Sequence, residues 1–248
     1  MEPTEYLDFL RADLDAIAAT PTDALDEPVP GCPEWTVEGL IGHHEGVLRF
    51  ATAQLRATPG SEIVKFDPPD EGVDRLGAFT AAADVLYEEL LVVDPTEHRP
   101  NWIGADDSSF WFRRMAQEAA VHRWDVQAAH ATPDPIDPRL AIDGVDELCD
   151  VFLSAAKQRG ITGDGETVHL HATDPDLDEL GLGDGAGEWM FTFSPDGVDV
   201  EHAHGKGDMA VRGSASDLLL FVWNRRPVDV QTFGDPDPLV WWPARVRI

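Results

Sequence analysis

The apolar residues of this chain change period once, and that change sets what the chain can fold into. Up to about residue 160 they recur every three or four positions; after Gly165 they recur every second position. A spacing near 3.6 lines one face of a helix, and a spacing of two lines one face of a strand. Neither face is buried by its own element. The first part must therefore pack helix on helix, and the second must build a sheet and cover it. The expectation is a helical bundle followed by a small α+β domain, with the boundary near 160–166.

Five helices fit the first part. Tyr6, Leu7, Leu10, Leu14 and Ile17 mark one over 4–19. A second starts at Thr36, a good N-cap with Trp35 before it to staple onto Leu40, and runs to about Ala57. Val73–Val92 makes a third, stopped by Pro95. Asp106, Asp107 and Ser108 offer caps for a fourth, which runs through about His130. Arg139–Gln158 is the fifth, ending at Gly160. In the second part Val168, Leu170 and Ala172 alternate with His169 and His171, and Trp189, Phe191 and Phe193 alternate likewise. Gly197–His204 and Met209–Arg212 suit short strands, Ser214 or Ser216 can cap a helix through Asn224, and Val240–Ile248 reads as a last strand.

Charge narrows the function. The 248 residues carry 18 Lys+Arg against 47 Asp+Glu, a formal net charge of −29. A field of that sign repels nucleic-acid phosphates and anionic membranes, so neither is an expected partner. The acidity is uneven: residues 205–248 hold six basic and five acidic side chains. No apolar run approaches the ~18 residues of a membrane helix. The N-terminal stretch lacks the basic and apolar regions of a signal peptide. Two cysteines, Cys32 and Cys149, make no disulfide framework. A cytoplasmic monomer is the expectation.

The fourth helix carries the densest chemistry. Trp111, Met115, Glu118, His122 and Val126 share helical spacing, so the Glu118 carboxylate and the His122 imidazole stand one turn apart on an apolar face. Such a pair either begins a metal site, where the cation compensates a buried carboxylate, or forms a solvent-facing hydrogen bond. His43 and His44 both lie among apolar positions of the second helix, and spacing does not choose between them as a third ligand. A rival lies in the strand region: if the strands bearing His169 and His171 and those bearing His202 and His204 paired, four imidazoles would converge. Asp125 either supports a ligand imidazole or is a surface charge. No P-loop, Rossmann glycine fingerprint or nucleophile elbow is present.

Three segments resemble the mycothiol-dependent maleylpyruvate isomerase family. Cys32-Pro33-Glu34-Trp35-Thr36-Val37 running into Leu40-Ile41-Gly42-His43 is similar to its first signature. The run from Phe112 to Asp125, with Glu118 and His122, is similar to its second. Val211-Arg212-Gly213-Ser214 with Trp223-Asn224-Arg225 is similar to its C-terminal domain. The resemblance implies a DinB-like four-helix bundle over residues 1–162 and a sterol-carrier-like α+β domain with a mainly antiparallel sheet over 163–248. It also implies metal ligands at His43, Glu118 and His122, a functional arginine at Arg225, and zinc and mycothiol as cofactor and co-substrate. The implied chemistry is activation of the thiol for addition to a small electrophile, giving cis–trans isomerisation or S-transfer. A metal-dependent hydrolase, a detoxification protein or a non-catalytic ligand-binding module of the same fold are the alternatives. Asn224 departs from the family, which commonly has glycine there, and His44 stands where an apolar residue is usual.

Overall fold

A computed structural model of the chain describes residues 1–70, 72–104, 107–175, 177–183 and 185–247. The chain divides into two compact units, Met1–Asp134 and Pro135–Ile248.

The first unit is a four-helix bundle of α1 (Pro3–Ala18), α2 (Val37–Arg56), α3 (Arg75–Val92) and α4 (Ser109–His130). Each helix packs on two others: α1 on α3 and α4, and α2 on the same two. The periodic residues are the buried ones, with Leu10, Leu14, Leu40, Ile41, Phe79, Leu86 and Trp111 fully enclosed. The caps follow the sequence logic. Thr36 accepts a hydrogen bond from the Gly39 amide, and Asp74 accepts one from Gly77, so α3 starts just beyond Val73. Asp106, one of the expected caps of α4, lies outside the described residues.

The second unit holds α5 (Pro138–Glu147), continued by a wider helical turn over Leu148–Leu153, and a five-stranded sheet. Its strands are β1 (Thr167–Ala172), β2 (Glu188–Ser194), β3 (Gly197–Glu201), β4 (Met209–Gly213) and β5 (Val230–Gly234), in the order β3-β2-β1-β4-β5. All neighbours are antiparallel except β1 and β4. Val168, Leu170, Trp189, Phe191, Phe193 and Val211 are fully buried, alongside residues of α6 (Ala215–Val222) and α7 (Pro238–Arg245). Ser214 caps α6, whereas the Ser216 hydroxyl accepts from the Ile136 amide at 3.0 Å.

Three expectations change. The fifth helix belongs with the second unit rather than closing a domain at 162: α5 packs on α6, and its Asp146 accepts from Trp189 Nε1 at 2.7 Å. It also leaves α-helical geometry at Leu148, short of Gln158. The expected strand from Val240 is helix α7; Asp237 caps it through the Leu239 amide, and adjacent Trp241 and Trp242 are both buried, which an alternating strand does not allow. Ile248 lies outside the described residues. Strand β5 was not expected because, at the sheet edge, it buries none of its five residues and shows no apolar alternation.

Candidate metal centre

Helices α2 and α4 bring His43, Glu118 and His122 together, with one donor atom from each lying within 4.8 Å of the others. His122 Nε2 is 3.2 Å from Glu118 Oε1, and His43 Nε2 is 3.8 Å from the same oxygen. The remaining polar atoms of the α4 pair are engaged. Arg114, one turn before Glu118, donates from Nη2 to Oε2 at 3.0 Å, and the fully buried Asp125 meets His122 Nδ1 at 3.1 Å. Glu118 Oε1 and His122 Nε2 are thus left to share one point with His43. Two imidazoles and a carboxylate so fixed are a donor set for a divalent ion with a coordination position left open.

The electrostatics follow from the crowding. Burial works against charge on Glu118, but the His122 charge, the histidine hydrogen bonds and Arg114 together hold its carboxyl well below the usual range. Burial likewise disfavours a charged His122, and Glu118 with Asp125 outweighs it, raising its pKa to about 9. Glu118 and Asp125 thus both favour positive charge at this point. A metal ion held there would supply such a charge.

His44 behaves otherwise. It is buried, neither ring nitrogen has a hydrogen-bond partner among the described residues, and its ring lies 5.4 Å from both Phe79 and His122. Burial, reinforced by the nearby His122 charge, pushes its pKa down to about 3. It packs behind the cluster as a neutral ring. On the open side, Trp35 and Phe66 lie 4.8 and 6.4 Å from the His43 ring, and both are substantially exposed. Trp35 therefore meets His43, a role the expected staple to Leu40 did not foresee. Arg114 and Phe66 also escaped the sequence reading. The spacing of Arg114 four residues before Glu118 was the available signal; nothing local marked Phe66.

The four histidines of the sheet region are only partly brought together, and two of them are not on a strand: β3 ends at Glu201, which leaves His202 and His204 in the connection to β4. His169, His171 and His204 converge on Glu188, a residue that sequence spacing did not single out, while His202 stands apart with Asp146 at 3.4 Å. Arg225 follows α6, its amide bonding to Leu220 O at 2.8 Å and its Nη1 to Trp223 O at 2.9 Å. Arg226 lies over the Phe221 ring at 5.1 Å.

Residues 7–127 match the family described as mycothiol maleylpyruvate isomerase N-terminal domain, and residues 139–241 match its C-terminal domain. The chain belongs to that family. The crystal structure of a mycothiol-dependent maleylpyruvate isomerase has the same fold, with a TM-score of 0.58 at 15% identity over 94% of this chain and 93% of that one. A histidine-to-alanine mutant of that enzyme aligns with a TM-score of 0.58 at 14% identity, covering 89% of this chain and 88% of its own. Among curated sequences, uncharacterized proteins of two Mycobacterium tuberculosis strains are 27% identical over 134 residues, which is 51% of this chain and 66% of theirs. None of the described helices is long and apolar enough to cross a membrane.

Proposed function

We propose that this chain is a metal-dependent enzyme that uses mycothiol as a co-substrate against a small electrophile, acting as an isomerase of the maleylpyruvate type or as an S-transferase. The observation that carries this reading is the convergence of His43, Glu118 and His122 in the bundle of a chain from this family. A divalent ion such as Zn²⁺ held there would supply the charge that keeps an entering thiol deprotonated at neutral pH.

The protein's own contribution is orientation. Asp125 fixes which nitrogen of His122 is presented, and Arg114 fixes which oxygen of Glu118 is presented. His43, with a side chain 36% exposed, leaves the centre open to a thiol beside the apolar faces of Trp35 and Phe66. His44, held neutral, adds no competing charge. We assign Arg225 to binding negative charge on the electrophile, a task suited to a guanidinium.

The test is thiol-dependent turnover. Purified, zinc-loaded protein is mixed with mycothiol and maleylpyruvate and followed by proton NMR and mass spectrometry. The trans isomer or a mycothiol conjugate, formed only with both thiol and metal present, is expected. Turnover that is the same without the thiol, or no reaction with any activated alkene, would overturn the proposal.

A further inference from the structure

We propose that the second unit carries a metal site of its own, in which His169, Glu188 and His204 bind a divalent first-row ion, Zn²⁺ being the clearest case. One donor atom from each lies within 4.8 Å of the others, and all belong to the sheet and its β3–β4 connection. The proposed function uses none of these residues, so the inference does not rest on it.

The cluster is built by strand register. His169 and His171 stand two apart on β1 and share a face, and Glu188 on β2 is the direct partner of His171. The carboxylate therefore falls between the two imidazoles: His169 Nε2 is 2.5 Å from Oε2, and His171 Nδ1 bonds Oε1. His204 arrives from the other side, its Nδ1 3.0 Å from Oε1, with its ring 5.4 Å from that of His169.

The segment carrying His204 is pinned to the sheet. The Asp208 carboxylate accepts from the Thr167 amide at 2.9 Å and its hydroxyl at 2.8 Å, and the Asp208 amide donates back to that hydroxyl at 2.8 Å. Gly207 fits so closely that a Cβ would stand 2.7 Å from Met209 O and 3.1 Å from the His169 amide. No other residue type fits there without moving the backbone, so the connection that carries His204 runs close against β1.

The donor chemistry selects the ion. Imidazole with carboxylate suits zinc and its neighbours, whereas calcium and magnesium take oxygen ligands. Donors in a tetrahedral zinc site stand roughly 3.3 Å apart. Widening the 2.5 Å and 3.0 Å contacts that Glu188 makes with His169 and His204 to that spacing asks for a shift of under about 1 Å. His171 then keeps its bond to the carboxylate and positions it. The strongly acidic chain raises the local cation concentration.

Untagged, metal-stripped full-length protein is loaded with Zn²⁺, desalted and measured by mass spectrometry of the metal, with Co²⁺ absorption as a second readout. Two equivalents are expected, falling to one in His204→Ala and to one in Glu118→Gln, and to none in the combined variant. His204 is highly exposed, so its loss leaves the fold intact, and circular dichroism verifies this. A single equivalent lost with His204→Ala but kept in Glu118→Gln would support this site and refute the bundle site. One equivalent that only Glu118→Gln removes, two that both His204→Ala and Glu188→Gln leave unchanged, or none at all would overturn the inference.

Discussion

Replacing Asp125 by asparagine isolates what a buried carboxylate does for a histidine it touches. Asp125 is fully buried, and its Oδ2 lies 3.1 Å from His122 Nδ1, with the other nitrogen facing Glu118. Asparagine keeps the volume and an acceptor but removes the charge. A hydrogen bond to a charged group contributes about 1.5–3 kcal/mol, against about 1 for a neutral one. Loss of a carboxylate that orients a metal-ligating histidine weakens metal binding by about 10–100-fold, or roughly 1.4–2.7 kcal/mol. The two scales agree, so Asp125→Asn should weaken Zn²⁺ binding at the bundle site by at least tenfold. The assay is competition with a chromophoric chelator, run in the His204→Ala background so that only this site reports. Circular dichroism must show an unchanged helical content. An affinity within about threefold of the parent, under ~0.7 kcal/mol, would mean that Asp125 neither orients His122 nor raises its basicity.

Three further outcomes follow from other parts of the structure. Arg75 Nη1 lies 2.6 Å from Glu45 in a buried pair, with Arg49 at 3.5 Å as the other partner. Arg75→Met should cost about 3 kcal/mol in urea unfolding by leaving a buried charge, and adding Glu45→Gln should recover most of it; a loss under ~1 kcal/mol would contradict this. Asn224 has φ 61°, a left-handed conformation, and its Nδ2 donates to Val246 O at 2.8 Å. Asn224→Ala should lower stability by about 1–2 kcal/mol and Asn224→Gly by less, and equal losses in thermal unfolding would remove the backbone argument. If Arg225 binds negative charge on the electrophile, Arg225→Lys should lower kcat/KM by well over about threefold, because an ammonium cannot make a planar two-pronged contact; a smaller change, under ~0.7 kcal/mol, would exclude a role in the transition state.

The parts of the fold legible in the sequence are those where burial repeats with the period of the backbone. Leu10, Leu14, Leu40, Ile41 and Leu86 mark the bundle because each contacts the core once per turn, and Trp189, Phe191 and Phe193 mark a strand with one covered face. Periodicity fails where an element is short or lies at an edge. Strand β5 buries almost nothing, and α7 is eight residues long with its tryptophans side by side, so neither shows its period. The placement of α5 was hidden for another reason: an amphipathic helix states that it has a partner but not which one.

The candidate centre was legible in part for the same reason. Glu118 and His122 lie four apart on one helix, and spacing alone puts them on one face; Arg114 shares that spacing but was not singled out. The choice between His43 and His44 was not readable, because adjacent residues both fell among apolar positions. Side-chain direction separates them: His43 turns toward Glu118, and His44 turns inward against Phe79. The meeting of Glu188 with three histidines depends on strand register, which no local pattern in those segments records.

Metal binding by His43, Glu118 and His122 at one point in the bundle underlies the proposed function. It is tested most directly by an anomalous difference map at the zinc edge from crystals of the full chain grown with Zn²⁺. A peak is expected within bonding distance of His43 Nε2, Glu118 Oε1 and His122 Nε2, with Asp125 on the far side of the His122 ring. A peak ligated by His44 in place of His43, or a zinc-loaded crystal with no peak among these residues, would contradict it.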